Sequence, residues 1–191
     1  MLFQRRIVSP DLCLMAATTE ISPALFTLLE QERTYLERWM KWPQRIDTPA
    51  RCQRYLREMQ LINGAGQQFF SFIFYQDQLA GSIALAKIDR QNQVGELGFW
   101  KSQTRLPKVQ MQTAMQNFIL ACWENGEIHR LEIQTPNTNL PTKKLSEKLG
   151  FQLEGSKRKA LRMDGQYVDL DIYGLLIPDD HSNALTGCLY H

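Results

Sequence analysis

Metal-binding side chains are few and dispersed. Cys13, Cys52, Cys122 and Cys188 show no paired spacing, and His129, His181 and His191 form no cluster with them. This argues against a metal site and for reduced thiols in an intracellular protein. An excess of one charge is also lacking: a net charge of +2 is too small to point to nucleic acid. No apolar run reaches the length of a membrane span. Arg5 and Arg6 lead to Pro10 and Asp11 rather than to a long apolar stretch, so no secretory leader is expected. There is no internal repeat and no linker. A cytoplasmic protein is expected, with one domain over residues 1–177 and an irregular polar tail over 178–191. One further absence is local: the segment from Thr104 to Met111 contains no glycine.

That segment interrupts the most informative pattern in the chain. Gln93 to Trp100 alternates as a strand. Met111, Ala114, Met115, Phe118, Ile119 and Cys122 then recur at the spacing of one buried helical face, opened by Pro107 and closed by Gly126. A strand passing through a short turn into a helix N-terminus is a natural anion site, because the first backbone N–H groups have no partner within the helix. Glycines normally let a phosphate approach such a backbone closely, and here there are none.

The rest of the 191 residues, 43% hydrophobic and 22% charged, reads as an ordinary globular sequence with a sizeable core. Leu12 to Ala17 reads as a first strand. Ser22, as N-cap, and Pro23 open a helix to roughly Gln31, and a second helical segment carries Tyr35, Leu36, Trp39 and Met40 as far as Pro43. A third helix begins at Thr48-Pro49 and ends before Asn63-Gly64-Ala65-Gly66. Phe69–Tyr75, Leu79–Ile88 and the strand from Gln93 are expected to be adjacent and antiparallel. After Gly126 come a strand over Glu127–Gln134, a turn over Thr135–Asn139 and a short helix with Pro141 in its first turn, ended by Gly150. A hairpin of Phe151–Leu161 and Gln166–Ile177 closes the domain. In its second strand Val168, Leu170 and Ile172 alternate with Asp169, Asp171 and Tyr173. The fold class is α/β (α+β), a mixed, mostly antiparallel central sheet flanked by helices.

Several stretches carry a family resemblance. Glu96-Leu97-Gly98-Phe99-Trp100, His129-Arg130-Leu131-Glu132-Ile133, Asn139, Glu147-Lys148-Leu149-Gly150-Phe151 and Tyr167-Val168-Asp169 resemble the GNAT N-acetyltransferase superfamily, in particular its ribosomal-protein branch. Trp39-Met40-Lys41-Trp42-Pro43 is similar to the ribosomal-protein-serine (RimL-type) enzymes. The similarity runs from about Leu12 to Ile177. It implies the GNAT fold and transfer of acetyl from acetyl-coenzyme A to an amine of a protein or peptide acceptor, often the N-terminus of a ribosomal protein. It also makes a homodimer an expectation, with neither membrane nor direct nucleic-acid binding.

The resemblance assigns residues by position. Backbone around Phe99, Trp100 and Lys101 would meet the oxyanion, and Leu106, Pro107, Lys108, Val109, Gln110 and Met111 would form the coenzyme loop. There Leu106, Val109 and Met111 stand where the family has Gln or Arg, Gly, and Gly or Ala. Losing one or two charge-assisted hydrogen bonds, about 1.5–3 kcal/mol each, would weaken binding roughly ten- to several-thousand-fold. Lys108 and Arg105 are candidates to compensate as point charges. Thr142 stands where RimL-type enzymes have a serine that protonates the thiolate, and Leu161 replaces an expected glutamate. Glu96 is either a base acting through water or a solvated carboxylate, and Tyr173 either a proton donor or a packed ring. Asn139 either places the coenzyme arm or caps a helix, and the two roles can coexist. Two functions follow: an acetyl-coenzyme A-dependent N-acetyltransferase, or a GNAT-fold binding module whose coenzyme site has decayed. Trp39, Trp42 and Tyr35 are read as acceptor-cleft or core aromatics. The basic run Lys157-Arg158-Lys159 with Arg162 is read as a solvated hairpin face, with acidic protein or RNA as the other reading.

Overall fold

The computed structural model describes residues 2–163 and 165–176, so the expected tail lies outside the described residues. In chain order its elements are β1 (Arg5–Ser9), β2 (Leu12–Ala16), α1 (Ser22–Glu37), α2 (Pro49–Gly64), β3 (Phe69–Tyr75), β4 (Gln78–Asp89), β5 (Val94–Lys101), α3 (Lys108–Glu124), β6 (Arg130–Pro136), α4 (Leu140–Lys148), β7 (Gln152–Met163) and β8 (Gln166–Leu176). Short 3₁₀ turns cover Thr19–Ile21 and Trp42–Arg45. The strands form one open mixed sheet in the order β1-β2-β3-β4-β5-β6-β8-β7. The pairs β1/β2, β2/β3, β3/β4, β6/β8 and β7/β8 are antiparallel, and β5/β6 is parallel. This is the expected mixed, mostly antiparallel arrangement with flanking helices.

The chain divides into two compact units, one of residues 1–86 and 99–118, the other of residues 87–98 and 119 onward. In the first, Leu25, Leu28, Leu29 and Leu36 of α1 pack with Ile46, Cys52, Leu56, Phe72 and Leu79. Thr48 caps α2 by accepting the Arg51 N–H at 3.3 Å. Gln76 and Asp77, both at positive φ, make the tight β3–β4 turn. Phe3 meets Phe69 and Phe118 edge to face, and Phe69 and Phe118 are tilted against each other. In the second unit Leu97, Ile128, Leu131, Ile133, Leu149, Phe151 and Tyr173 are buried.

Several boundaries differ from the sequence reading. β1 was not expected; it is an exposed edge strand whose arginines hide its pairing with β2. The helical segments around Gln31 and Tyr35 are one helix, α1, bent at Glu32 (φ −121°, ψ 16°) and ending at Glu37. Its N-cap is Ile21, not Ser22, and no side chain caps it. β6 starts at Arg130 and runs through Thr135 to Pro136, where a turn was expected, because these residues stay paired with β8. On β8 the buried residues are Asp171, Tyr173 and Gly174, while Val168, Leu170 and Ile172 are only half-buried.

Candidate active site

In the first unit the candidate coenzyme loop connects β5 to α3. Met111 N–H donates to Pro107 C=O at 3.0 Å, the first helical bond of α3. The N–H groups of Lys108, Val109 and Gln110 lie ahead of it and have no acceptor within the helix. The bulky residues of this segment do not crowd that end. Leu106 and Met111 are buried, whereas Val109 is 71% exposed and Pro107 and Lys108 are exposed. Nor does the backbone call for glycine: among the described residues, positive φ outside glycine is confined to Gln76, Asp77, Gln93 and Lys159. Leu106, Val109 and Met111 therefore replace the family's residues without left-handed strain. The open end and its three amides fit a diphosphate, whose charge the helix dipole would favour.

The connection is braced from two sides. Glu32, 7% exposed, accepts from Ser102 Oγ at 2.6 Å, Gln103 N–H at 2.8 Å, Thr104 Oγ1 at 2.7 Å and Thr104 N–H at 3.2 Å. Burial alone would raise its pKa, but these bonds outweigh it and hold the carboxyl below its ordinary value. Lys101 Nζ donates to Ser102 C=O at 2.8 Å and Leu106 C=O at 2.7 Å. Its pKa is lowered, chiefly by burial and also by Lys108, with Glu32 opposing. Arg105 donates to Leu79 C=O and Gln31 Oε1, so its charge is engaged with β4 and α1. Of the two cations expected to compensate for the missing glycines, only Lys108 is exposed.

Phe99 and Trp100 lie on β5, half-buried. The Trp100 carbonyl approaches Gly81 so closely that a Cβ there would meet it at 2.6 Å. Trp42 stacks on Tyr55 at 5.2 Å and leans on Trp100 at 5.8 Å. Arg33 holds the Trp42 segment by donating to Pro43 C=O at 2.7 Å and Ile46 C=O at 2.8 Å.

The second unit holds the remaining candidates. Glu96 is half-buried, and its Oε2 accepts from Lys87 Nζ at 2.7 Å and Gln134 Nε2 at 3.3 Å. Asn139 is the N-cap of α4, its Oδ1 accepting the Thr142 N–H at 3.3 Å. Thr142 is half-buried in the first turn of that helix. Tyr173 is fully buried, its hydroxyl donating to Glu147 Oε1 at 3.4 Å. Burial raises its pKa, with the charges of Glu147 and Asp171 adding and that of Lys143 opposing. Leu161, on β7, is paired with Val168. Lys143 and Asp171 form a 2.7 Å ion pair that pins α4 to β8.

Glu32 and the Lys143–Asp171 pair escaped the sequence reading. Glu32 had a signal: it continues the Leu25, Leu28, Leu29, Leu36 stripe of α1, an inward position for a carboxylate. Among the described residues no group of three or more His, Cys, Asp or Glu is placed to hold a metal ion, and no helix is long and apolar enough to cross a membrane.

A sheet whose fifth strand feeds an open helix N-terminus can receive a diphosphate-bearing cosubstrate, and the family match makes the chain an acetyl-coenzyme A-dependent N-acetyltransferase. It belongs to the GNAT family: the acetyltransferase (GNAT) domain matches residues 25–172. It is 25% identical over 170 residues to the ribosomal-protein-serine acetyltransferase of Escherichia coli K12, covering 89% of this chain and 95% of that one. It resembles the solved RimL ribosomal L7/L12 alpha-N-protein acetyltransferase in complex with coenzyme A, with a TM-score of 0.86 and 25% identity over 91% of this chain and 98% of that one. The microcin C7 self-immunity acetyltransferase MccE, in complex with acetyl-CoA and AMP, shares the fold at a TM-score of 0.84 and 23% identity over 89% of this chain and 94% of that one. These similarities favour the enzyme over the decayed-site alternative.

Proposed function

We propose that this chain acetylates the N-terminal amine of a ribosomal protein in the cytoplasm, as a single acetyltransferase domain over residues 1–177. The observation that carries the reading is the unobstructed N-terminus of α3, with the Lys108, Val109 and Gln110 amides ahead of the first helical bond and Val109 turned to solvent. Acetyl-coenzyme A supplies the acetyl group and a thiolate leaving group. The backbone of Phe99, Trp100 and Lys101 supplies donors toward the reacting carbonyl. The segment from Leu106 to Met111 receives the diphosphate through its main chain, with Lys108 adding positive charge.

The roles in the second unit are carried over from the family by position and weighed against each residue's hydrogen bonds. Thr142 carries a hydroxyl in the first turn of α4 and is assigned proton donation to the leaving thiolate. Asn139 orders that turn by capping it. Glu96, which already receives hydrogen bonds from Lys87 and Gln134, is assigned to hold a water that removes the amine proton. Tyr173, buried against Glu147, is better suited to supporting α4 than to donating a proton itself. A homodimer is part of this reading by analogy with the family.

Calorimetry with acetyl-coenzyme A, followed by mass spectrometry of peptides bearing ribosomal-protein N-termini, tests the proposal. Micromolar binding and one added acetyl group per peptide are expected. No binding at millimolar concentration would overturn it.

A further inference from the structure

We propose that Glu32 and Lys101 are positioning residues for the coenzyme: they hold the glycine-free connection in the shape that presents the α3 amides. This rests on the acetyltransferase reading and goes beyond it by assigning side chains that touch neither acetyl group nor acceptor.

Glu32 lies among the buried residues of α1. The inward stripe of α1 calls for an apolar residue there, and a buried carboxylate persists only if its oxygens are satisfied. All the partners found for it come from one stretch, Ser102 to Thr104. α1 departs from helical geometry at this same residue. The Arg105 N–H, next in the chain, donates to Ser102 Oγ at 2.9 Å, extending the bracing toward α3.

Lys101 acts on the complementary groups. Its ammonium spans two carbonyls, Ser102 and Leu106, and so closes the connection on itself. One carboxylate gathers the N–H and O–H donors of the segment while one ammonium gathers its carbonyls. A glycine-rich loop achieves close approach through backbone freedom; here a fixed conformation is imposed by opposite charges. Lys101 also offsets the repulsion that the Glu32 carboxylate would exert on a diphosphate, and Lys108 adds a second positive charge.

The experiment measures coenzyme A affinity by calorimetry, with steady-state kinetics and melting temperatures, on the full chain and on Glu32→Ala, Glu32→Gln and Lys101→Met. Glu32→Ala and Lys101→Met are expected to weaken coenzyme binding roughly ten- to a hundred-fold. Both should raise KM for acetyl-coenzyme A, and Glu32→Ala should leave KM for the acceptor and kcat at saturation within about twofold. Glu32→Gln keeps one acceptor oxygen and much of the packing; it should lose less stability than alanine and recover part of the affinity. Lower melting temperatures with unchanged coenzyme affinity would reduce both residues to structural ones and overturn the proposal. Tighter binding by Glu32→Gln would overturn it too, by showing that the carboxylate opposes the diphosphate. If the unaltered chain binds no coenzyme, the acetyltransferase reading itself fails and this inference with it; if the unaltered chain and every variant bind equally well, only the inference fails.

Discussion

The entries to α3 and α4 are two helix N-termini built on opposite plans. α4 is organised locally: Asn139 caps it, Pro141 sits in its first turn, and the information lies within four residues. The connection into α3 is organised from a distance, by a glutamate 70 residues earlier in the chain from Ser102. The contrast shows how a binding turn can lose its glycines and keep a defined shape. Local caps are interchangeable, whereas a long-range brace is specific to its two ends.

The largest effect expected concerns what holds α4 in place rather than what starts it. Lys143 pairs with Asp171, which is 5% exposed and whose pKa is held down by Lys143 and Ser156 against the opposing effect of burial. Lys143→Met leaves that buried carboxylate without its cation, with Ser156 still donating to it, and should destabilise the protein by about 3 kcal/mol, read from chemical denaturation. The double variant Lys143→Met/Asp171→Leu should recover most of the loss. If the single variant costs nothing, α4 does not depend on this pair.

Removing the brace of the α3 entry comes next. Glu32→Ala strips four hydrogen bonds from one carboxylate, and a net loss of about 2–3 kcal/mol is expected. Its pH signature has a definite sign. The folded pKa lies below the unfolded value near 4.5, so the stabilisation is fully present above about pH 4.5. It is lost as pH falls from there through the lowered folded value. Lys101 and Tyr35 are the titratable groups that sense the same carboxylate, and neither changes charge in that window. Glu32→Gln should therefore flatten the acid limb of the stability profile between about pH 5 and 3, and an unchanged limb would contradict the assignment. A comparable loss is expected from Gly81→Ala, about 1–3 kcal/mol, because the obstruction is the Trp100 carbonyl rather than a movable side chain.

The same contrast sorts what the sequence made legible. The buried stripe of α3 was readable in full, since Met111, Ala114, Met115, Phe118, Ile119 and Cys122 are all at most 3% exposed. The Gln76–Asp77 turn, the Thr48 cap and the Asn139 cap were readable because their partners lie within a few residues. β1 was hidden because an edge strand needs no apolar alternation, and its Arg5 and Arg6 resemble a polar terminus. The alternation in β8 left open which face is buried: Asp171 and Tyr173 are, and the pairing of Asp171 with Lys143 is nothing that a period-two pattern reports. Glu32 was readable as an anomaly on an apolar stripe, but its partners at Ser102 and Thr104 required the fold. The missing glycines pointed to the right segment. A motif lists residues that usually permit a conformation; the conformation here has no positive φ for them to permit.

The smallest effect expected is at the local cap itself. The bond from Thr142 N–H to Asn139 Oδ1 is long, 3.3 Å, and Asn139 is half-exposed, so Asn139→Ala should lose about 0.5–1 kcal/mol. If Asn139 only caps, Asn139→Ser or Asn139→Asp restores both stability and activity, because either side chain supplies the accepting oxygen. If its amide also positions the coenzyme arm, Asn139→Asp restores stability but leaves KM for acetyl-coenzyme A raised, since a carboxylate cannot donate. The pair of measurements separates the two roles at one residue. It also bounds the comparison: a local cap that carries coenzyme affinity as strongly as Glu32 would erase the distinction between the two helix entries.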